Sequence, residues 1–298
     1  MYDGSLLEEA AARPCRGQRT EEPTRKGEIV MPDVFATITH ASPDILEVIA
    51  QTLELRATLP QYQAILRAYL SDIAFPPDAR VLEVGCGTGA VARFVAQWPQ
   101  VAEVVGVDPS PALLDKARTL SAGLSTLSFQ EADGKALPFP ASTFDVVVLH
   151  TVLTHVPGPD ALLAEVFRVL RPQGSVGIGD GDFSTATVAI GDDDPLQTCV
   201  DAFVEHFVHD PWLVRRLSAL ARAAGFDVSP LQSYGLVETL EPSLTPTWVD
   251  RGAEARLAAG HIGAELATAL KAEARRRAAE GSWFGYMAYA SLIARKPD

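Results

Sequence analysis

The chain has 298 residues, 47% of them hydrophobic and 21% charged, which suits one large core with additions in a soluble globular protein. A formal net charge of -13 opposes attraction to phosphate backbones and to anionic lipid, so neither nucleic acid nor a membrane surface is an expected partner. Cys15, Cys86 and Cys199 are too few and too widely spaced for a disulfide framework or a zinc knuckle, no apolar run approaches a membrane span, and a reducing cytoplasmic setting is expected.

Residues 1–32 mix Glu, Arg, Pro, Gly and Thr without periodicity and are expected to form a disordered tail. Residues 33–75 read as two lid helices. The first has Ser42 as N-cap, Pro43 at its first position, and Ile45, Val48, Ile49 and Leu53 at helical spacing. The second runs from about Pro60 to Ile73, with Ile65, Leu66, Tyr69 and Leu70 on one face.

From residue 76 to residue 298 strands alternate with helices, the pattern of an α/β fold with a parallel sheet covered on both faces. Strands are expected near Arg80–Val84, Glu103–Val107, Leu127–Gln130, Phe144–Leu149 and Ser175–Gly179. The unbroken Phe144–Leu149 run points to burial on both faces. Between them, helices follow Ala90, Ser110-Pro111 (with Leu113, Leu114, Ala117 and Leu120 inward) and Asp160. The alternation breaks at about 180–210, a segment with many acids and no Lys or Arg, which reads as part of a cap. Order returns with a helix from Asp210-Pro211 and a strand near Tyr234–Thr239. A second insertion at about 246–280 reads as two helices, and the aromatic run Trp283–Ala294 as the final strand.

The chemistry concentrates in VLEVGCGTGAVARFVAQWPQVAEVVGVD, residues 81–108. A turn carrying Gly85, Gly87 and Gly89 lets a ligand approach the main chain, and Asp108, ending the next strand, can bind both hydroxyls of a ribose. The glycine spacing alone also fits a dinucleotide site. Glu83, two residues before the first glycine, and Asp133, after the third strand, are not needed by a dinucleotide, whereas a single S-adenosyl group would use both.

Together with EADGKALPFPASTFDVVVLHTVLTHVPGPDALLAEVFRVLRPQG, this stretch resembles class I S-adenosylmethionine-dependent methyltransferases of the ubiquinone/menaquinone-biosynthesis-like (methyltransferase type 11) group. The resemblance implies a Rossmann-like seven-stranded sheet with its last strand antiparallel. It implies that Glu83, Gly85, Gly87 and Gly89 shape the methionine end of S-adenosylmethionine, with Asp108 and Pro109 at the ribose. Asp133 and Gly134 would lie beside adenine, and His150 and Thr151 near the sulfonium.

The expected reaction is in-line methyl transfer to a small-molecule acceptor, with oxygen favoured over carbon or nitrogen, by a monomer or homodimer. His150, His155 and His206 are the candidate bases, although His155, in THVPGP, reads more readily as a residue that shapes its loop. The alternatives are a protein that uses the bound sulfonium electrostatically, as in a cyclisation, and a nicotinamide oxidoreductase. No metal is assigned: the acids of 180–210 with His206 and His209 read as a solvated surface, or as an attraction for a cationic amine.

Overall fold

The computed structural model describes residues 33–298, so the expected tail and Cys15 lie outside the described residues. Two helices come first, α1 (Pro43–Thr58) and α2 (Pro60–Ser71). Ser42 caps α1 by accepting from the Ile45 N–H, as its position before Pro43 predicts. Only part of the apolar stripe of α1 faces inward: Ile49 is buried against Leu113, while Ile45 and Val48 are exposed, because the helix rests on the body along one narrow edge.

The sheet is built from β1 (Ala79–Val84), α3 (Ala90–Val95), β2 (Val101–Asp108), α4 (Pro111–Leu120), β3 (Leu127–Glu131), β4 (Phe144–His150), α5 (Pro159–Val169) and β5 (Leu170–Thr187). There follow α6 (Pro195–Phe207), α7 (Leu217–Ala223), β6 (Asp227–Val228), β7 (Gln232–Glu238), α8 (Pro246–Ala258), α9 (Ala264–Ala279) and β8 (Gly285–Arg295). The strand order is β3-β2-β1-β4-β5-β8-β6, with β7 also on β8. β3 to β5 are parallel, and β8 returns antiparallel between β5 and the edge.

Among the described residues there are eight strands rather than seven, because β6 and β7 share one position beside β8. Pro230, in the gap between them, has no N–H to give the ladder, and the edge breaks there. The order reverses between β1 and β4, which opens a crevice at the carboxyl ends of these strands.

β4 is buried along nearly its whole length, as its unbroken apolar run requires. Leu162, Leu163 and Val166 of α5 and Leu217 of α7 cover one face of the sheet. Tyr69, Leu70 and Ile73 with Ala92 and Val95 cover the other. Each Leu, Ile or Val among them contributes about 1.5–3 kcal/mol when removed from water. Leu120, expected inward, is exposed on the last turn of α4.

The expected break at residue 180 comes later. β5 continues to Thr187, pairing Asp180 and Asp182 with Ala290 and Ala288 of β8. Beyond it α6, α8 and α9 pack a third apolar cluster around Val200, Phe203, Trp248 and Leu270. Gly252 sits where a Cβ would collide with the Cys199 carbonyl, which lets α8 approach α6 closely. Among the described residues no helix is long and apolar enough to cross a membrane.

Candidate active site

The glycine turn is held from below by the neighbouring strand. Gly85 and Cys86 donate to the Val107 carbonyl (2.8 and 3.0 Å), and the Gly87 N–H donates to Asp108 Oδ2 at 2.9 Å. Asp108 Oδ1 accepts the Ser110 N–H at 2.9 Å, so each carboxylate oxygen holds main chain and keeps a further lone pair. Burial raises the Asp108 pKa, and the two N–H bonds oppose that rise. Gly85 (φ 73°) and Gly87 (φ 51°) have left-handed backbone. A Cβ on them would lie 2.7 Å from a Val152 methyl and 2.8 Å from a Leu53 methyl, so only glycine fits the turn. Gly89 precedes α3 in the same conformation, and Cys86 is a buried packing residue whose thiol burial pushes up.

Glu83, on β1, lines the crevice, and its Oε2 is buried with no hydrogen-bond partner. Burial pushes its carboxyl up to about 8, despite the Ala92 N–H, and the neighbouring Asp108 charge pushes the same way. A buried polar atom left unpaired costs about 1–3 kcal/mol. Such an atom beside a turn that admits no side chain fits a ligand that brings its own donor, and S-adenosylmethionine does so with its amino group.

The two N-terminal helices are tied to this turn. Glu54 of α1 accepts from Thr88 Oγ1 (2.5 Å) and pairs with Arg93 (2.6 Å). Tyr69 of α2 reaches the end of β4, where its hydroxyl meets His150 Nδ1 at 3.0 Å.

A cavity of about 260 Å³ runs from Glu83, the glycine turn, Asp108 and Pro109 past His150, Thr151 and His155. It ends among Phe183, Phe203, Phe207 and Trp248. Phe203 stacks on Trp248 (5.8 Å, 10°), and Phe183 stands edge-on to His155 at 5.9 Å. This far wall comes from the end of β5, α6 and α8.

His150 is buried, and burial with the Arg56 charge pushes its pKa down to about 3, so it stays neutral. It stacks against Tyr69 and Tyr289. Thr151 has positive φ (54°) and donates its N–H to the Gly179 carbonyl at 2.7 Å, which turns the chain sharply into the following loop.

That loop is anchored by Asp180, whose Oδ1 accepts from Thr154 Oγ1 (2.8 Å) and whose Oδ2 accepts from the Thr154 N–H (3.2 Å). His155, next in sequence, places Nδ1 at 2.7 Å from Asp33 Oδ2. Asp33 also accepts the His209 and Phe35 N–H groups, both at 2.9 Å, and is thereby fixed. Sequence reading missed Asp33: it lies 122 positions from His155, with no local pattern to mark it.

Other expected residues stand apart. His206 does not line the cavity, although Phe203 and Phe207 of the same helix do. Asp133 and Gly134 also lie outside the lining; Asp133 is exposed and accepts the Lys135 N–H at 2.9 Å. The acids of 180–210 are largely engaged inside the fold. Asp182 pairs with Arg215 (3.1 Å), and Asp194 caps α6 while pairing with Arg277 (2.5 Å). Burial alone would raise Asp194, and the Arg277 hydrogen bonds with two N–H donors bring it below the usual carboxylate range. Among the described residues no group of three or more His, Cys, Asp or Glu is placed to hold a metal ion.

Residues 82–178, which contain the glycine turn, Asp108 and both cavity-lining histidines, match the family model described as "Methyltransferase domain". This segment is a methyltransferase domain. The resemblance read from its motifs is thereby borne out, as is the Rossmann-like sheet with its antiparallel last strand.

An uncharacterized methyltransferase of Schizosaccharomyces pombe is 39% identical over 117 residues, 37% of this chain and 42% of that protein. The ubiquinone/menaquinone biosynthesis C-methyltransferase UbiE of Desulfotalea psychrophila is 33% identical over 117 residues, 39% of this chain and 47% of that one. The chain thus spans less than half the length of these curated relatives. Among solved structures, the [4+2]-cyclase SpnF superposes with a TM-score of 0.50 at 24% identity, over 79% of this chain and 82% of that one. That likeness concerns the fold. The matched segment ends at residue 178, before α6 and α8, which form the far wall.

Proposed function

We propose that this chain binds S-adenosylmethionine at the glycine-turn end of the cavity and transfers its methyl group to an oxygen of a small molecule held at the aromatic end. The observation that carries the proposal is the single cavity joining Glu83, Gly85, Gly87 and Asp108 to the aromatic chamber, with His155 on its wall. Asp108 offers its remaining lone pairs to the ribose hydroxyls, and Glu83 Oε2 takes the amino group of the methionine end.

Once bound, S-adenosylmethionine supplies a methyl carbon made electrophilic by its sulfonium, so the chain's own work is alignment, worth up to about 7–11 kcal/mol. The tight lid contacts and the aromatic wall align the acceptor and exclude water. His155 takes the acceptor's hydroxyl proton: Asp33 accepts the Nδ1 hydrogen and leaves Nε2 as the basic nitrogen. His150 holds position rather than accepting a proton, because burial keeps it neutral.

A fold shared with a [4+2]-cyclase leaves room for a non-methylating use of the sulfonium. The Asp33–His155 pair favours transfer, since a base is required when an acceptor hydroxyl loses its proton. A nicotinamide dinucleotide fits poorly, because its pyrophosphate would meet the carboxyl of Glu83. The net charge of -13 supports a small-molecule acceptor in the cytoplasm over nucleic acid or membrane lipid.

The test has two steps. Calorimetry is expected to show binding of S-adenosylhomocysteine and none of NAD; the reverse result removes the reading. Incubation with carbon-13-methyl S-adenosylmethionine and a panel of phenols is then expected to give a product heavier by one labelled methyl, bonded to oxygen by NMR. Binding without any labelled product would favour the electrostatic alternative.

A further inference from the structure

Of the charged side chains on the cavity wall, Glu83 and Asp108 belong to the glycine-turn end. Arg56, on α1, lies beside Glu83, His150 and Tyr289, whose ionisation its charge affects, and so belongs to that side too. Arg251 is different. It lies on α8 one turn after Trp248, on the same face, and its guanidinium stands over the Phe207 ring at 5.9 Å.

The carboxylates around Arg251 are committed elsewhere. Asp250 pairs with Arg275 (3.1 Å), Glu254 with Lys271 (2.6 Å), and Asp33 with His155 and two main-chain N–H groups. Among the described residues Arg251 itself forms no ion pair. Desolvation lowers its pKa, with the Glu254 and Asp33 charges opposing. The guanidinium thus stands in a partly water-excluded aromatic wall, on the side of the Asp33–His155 pair, with its five donors unmatched by an anion.

We propose that Arg251 is the specificity-determining residue of the acceptor end, and that the acceptor is an aromatic carboxylate whose ring lies among Phe183, Phe203, Phe207 and Trp248. A planar guanidinium fork matches a carboxylate in two parallel hydrogen bonds, and one cation balances a single negative charge better than a phosphate dianion. The same charge repels the cationic amine suggested by the acidity of 180–210, since those acids are largely engaged by Arg215, Arg277 and main chain. The inference rests on the methyltransferase reading, because it takes the cavity's other end to hold the donor.

The experiment measures binding, in saturating S-adenosylhomocysteine, of salicylate, caffeate and hydroxynaphthoate against their primary amides and against tyramine. At least one acid is expected to bind about tenfold or more tightly than its amide, and tyramine weakest. R251Q is expected to erase the preference, R251K to keep part of it, and both to keep wild-type affinity for S-adenosylhomocysteine and a wild-type melting temperature. Amides binding as well as acids, no acid binding, or a preference that survives in R251Q overturns the proposal. R251Q weakening S-adenosylhomocysteine instead overturns it by moving Arg251 to the donor's carboxylate. Wild-type protein that fails to bind S-adenosylhomocysteine sinks the methyltransferase reading itself, so the two failures are distinguishable.

Discussion

At the glycine-turn end of the cavity the wall is main chain, fixed by N–H bonds from Gly85, Cys86 and Gly87 to the neighbouring strand and its terminal acid. At the aromatic end the wall is side chain, carried on α6 and α8, which meet the sheet through packing and through the Gln197 side chain of α6 on the end of β5. The first end depends on a few residues within 26 positions, from Glu83 to Asp108; the second gathers Asp33, Phe183, Phe203, Phe207, Trp248 and Arg251 from across the chain. A wall of main chain tolerates little change and suits a constant ligand. A wall of side chains can be redrawn without disturbing the sheet, which suits the variable partner.

The sharpest way to separate the two ends is to remove the base. His155→Gln is expected to lower the single-turnover methylation rate by about 10²–10⁴-fold while S-adenosylhomocysteine binds as before. Asp33→Asn is expected to lower it less, because His155 remains but loses its orientation. A His155→Gln enzyme at full speed would return that residue to a purely loop-forming role. Asp108→Ala acts on the opposite end. It removes the ribose contact together with the anchor for Gly87 and Ser110, so affinity for S-adenosylhomocysteine in calorimetry is expected to fall about 100-fold. Unchanged affinity would break the assignment of the constant ligand to this end.

The difference between the ends also explains what could be read from the sequence. Strand alternation, the Ser42-Pro43 and Ser110-Pro111 helix starts and the buried β4 follow from local pattern, and the structure repeats them within a few residues. Glu83, Gly85, Gly87, Asp108 and the turn at Thr151 are contiguous in sequence or set by strand register, and they line the cavity together. Asp33 and Arg251 carry no local signal, since their meaning arises only when remote segments meet. The run of acids after residue 180 misled for a related reason: the cations that neutralise it, Arg215 and Arg277, lie outside the segment.

Glu83 provides a test of intermediate size. Its carboxyl is held near 8 in the free protein against about 4.5 when unfolded, so the folded state binds the extra proton between those values. The stability this contributes is complete below about 4.5 and is lost as pH rises through about 8. His150 runs the other way: held at about 3, it contributes stability above 6.5 that is lost as pH falls toward 3. Glu83→Gln is expected to flatten the alkaline side of the stability profile in urea titrations between about pH 5 and about pH 8 and to leave the acid side. The same substitution is expected to weaken S-adenosylmethionine about tenfold and to abolish a proton release on binding, seen as buffer-dependent heats. Release that persists in Glu83→Gln would give the proton to another group, with Asp108, also raised by burial, next in line.

The smallest expected effect divides the acidic segment itself. Asp192 and Asp193 are exposed and line no part of the cavity, whereas Asp194 is buried, caps α6 and pairs with Arg277. Asp194→Asn leaves a buried guanidinium short of a partner and is expected to cost roughly 3 kcal/mol of stability, measured by denaturant unfolding, with acceptor affinity unaltered in the protein that remains folded. The double substitution Asp192→Asn with Asp193→Asn is expected to change stability by less than about 0.5 kcal/mol and acceptor affinity not at all. A fall in acceptor affinity from that surface pair alone would restore long-range attraction of a cation by the segment. It would also weaken the case for Arg251, because a site that draws in cations by its outer charge would not place an unpaired guanidinium on its inner wall.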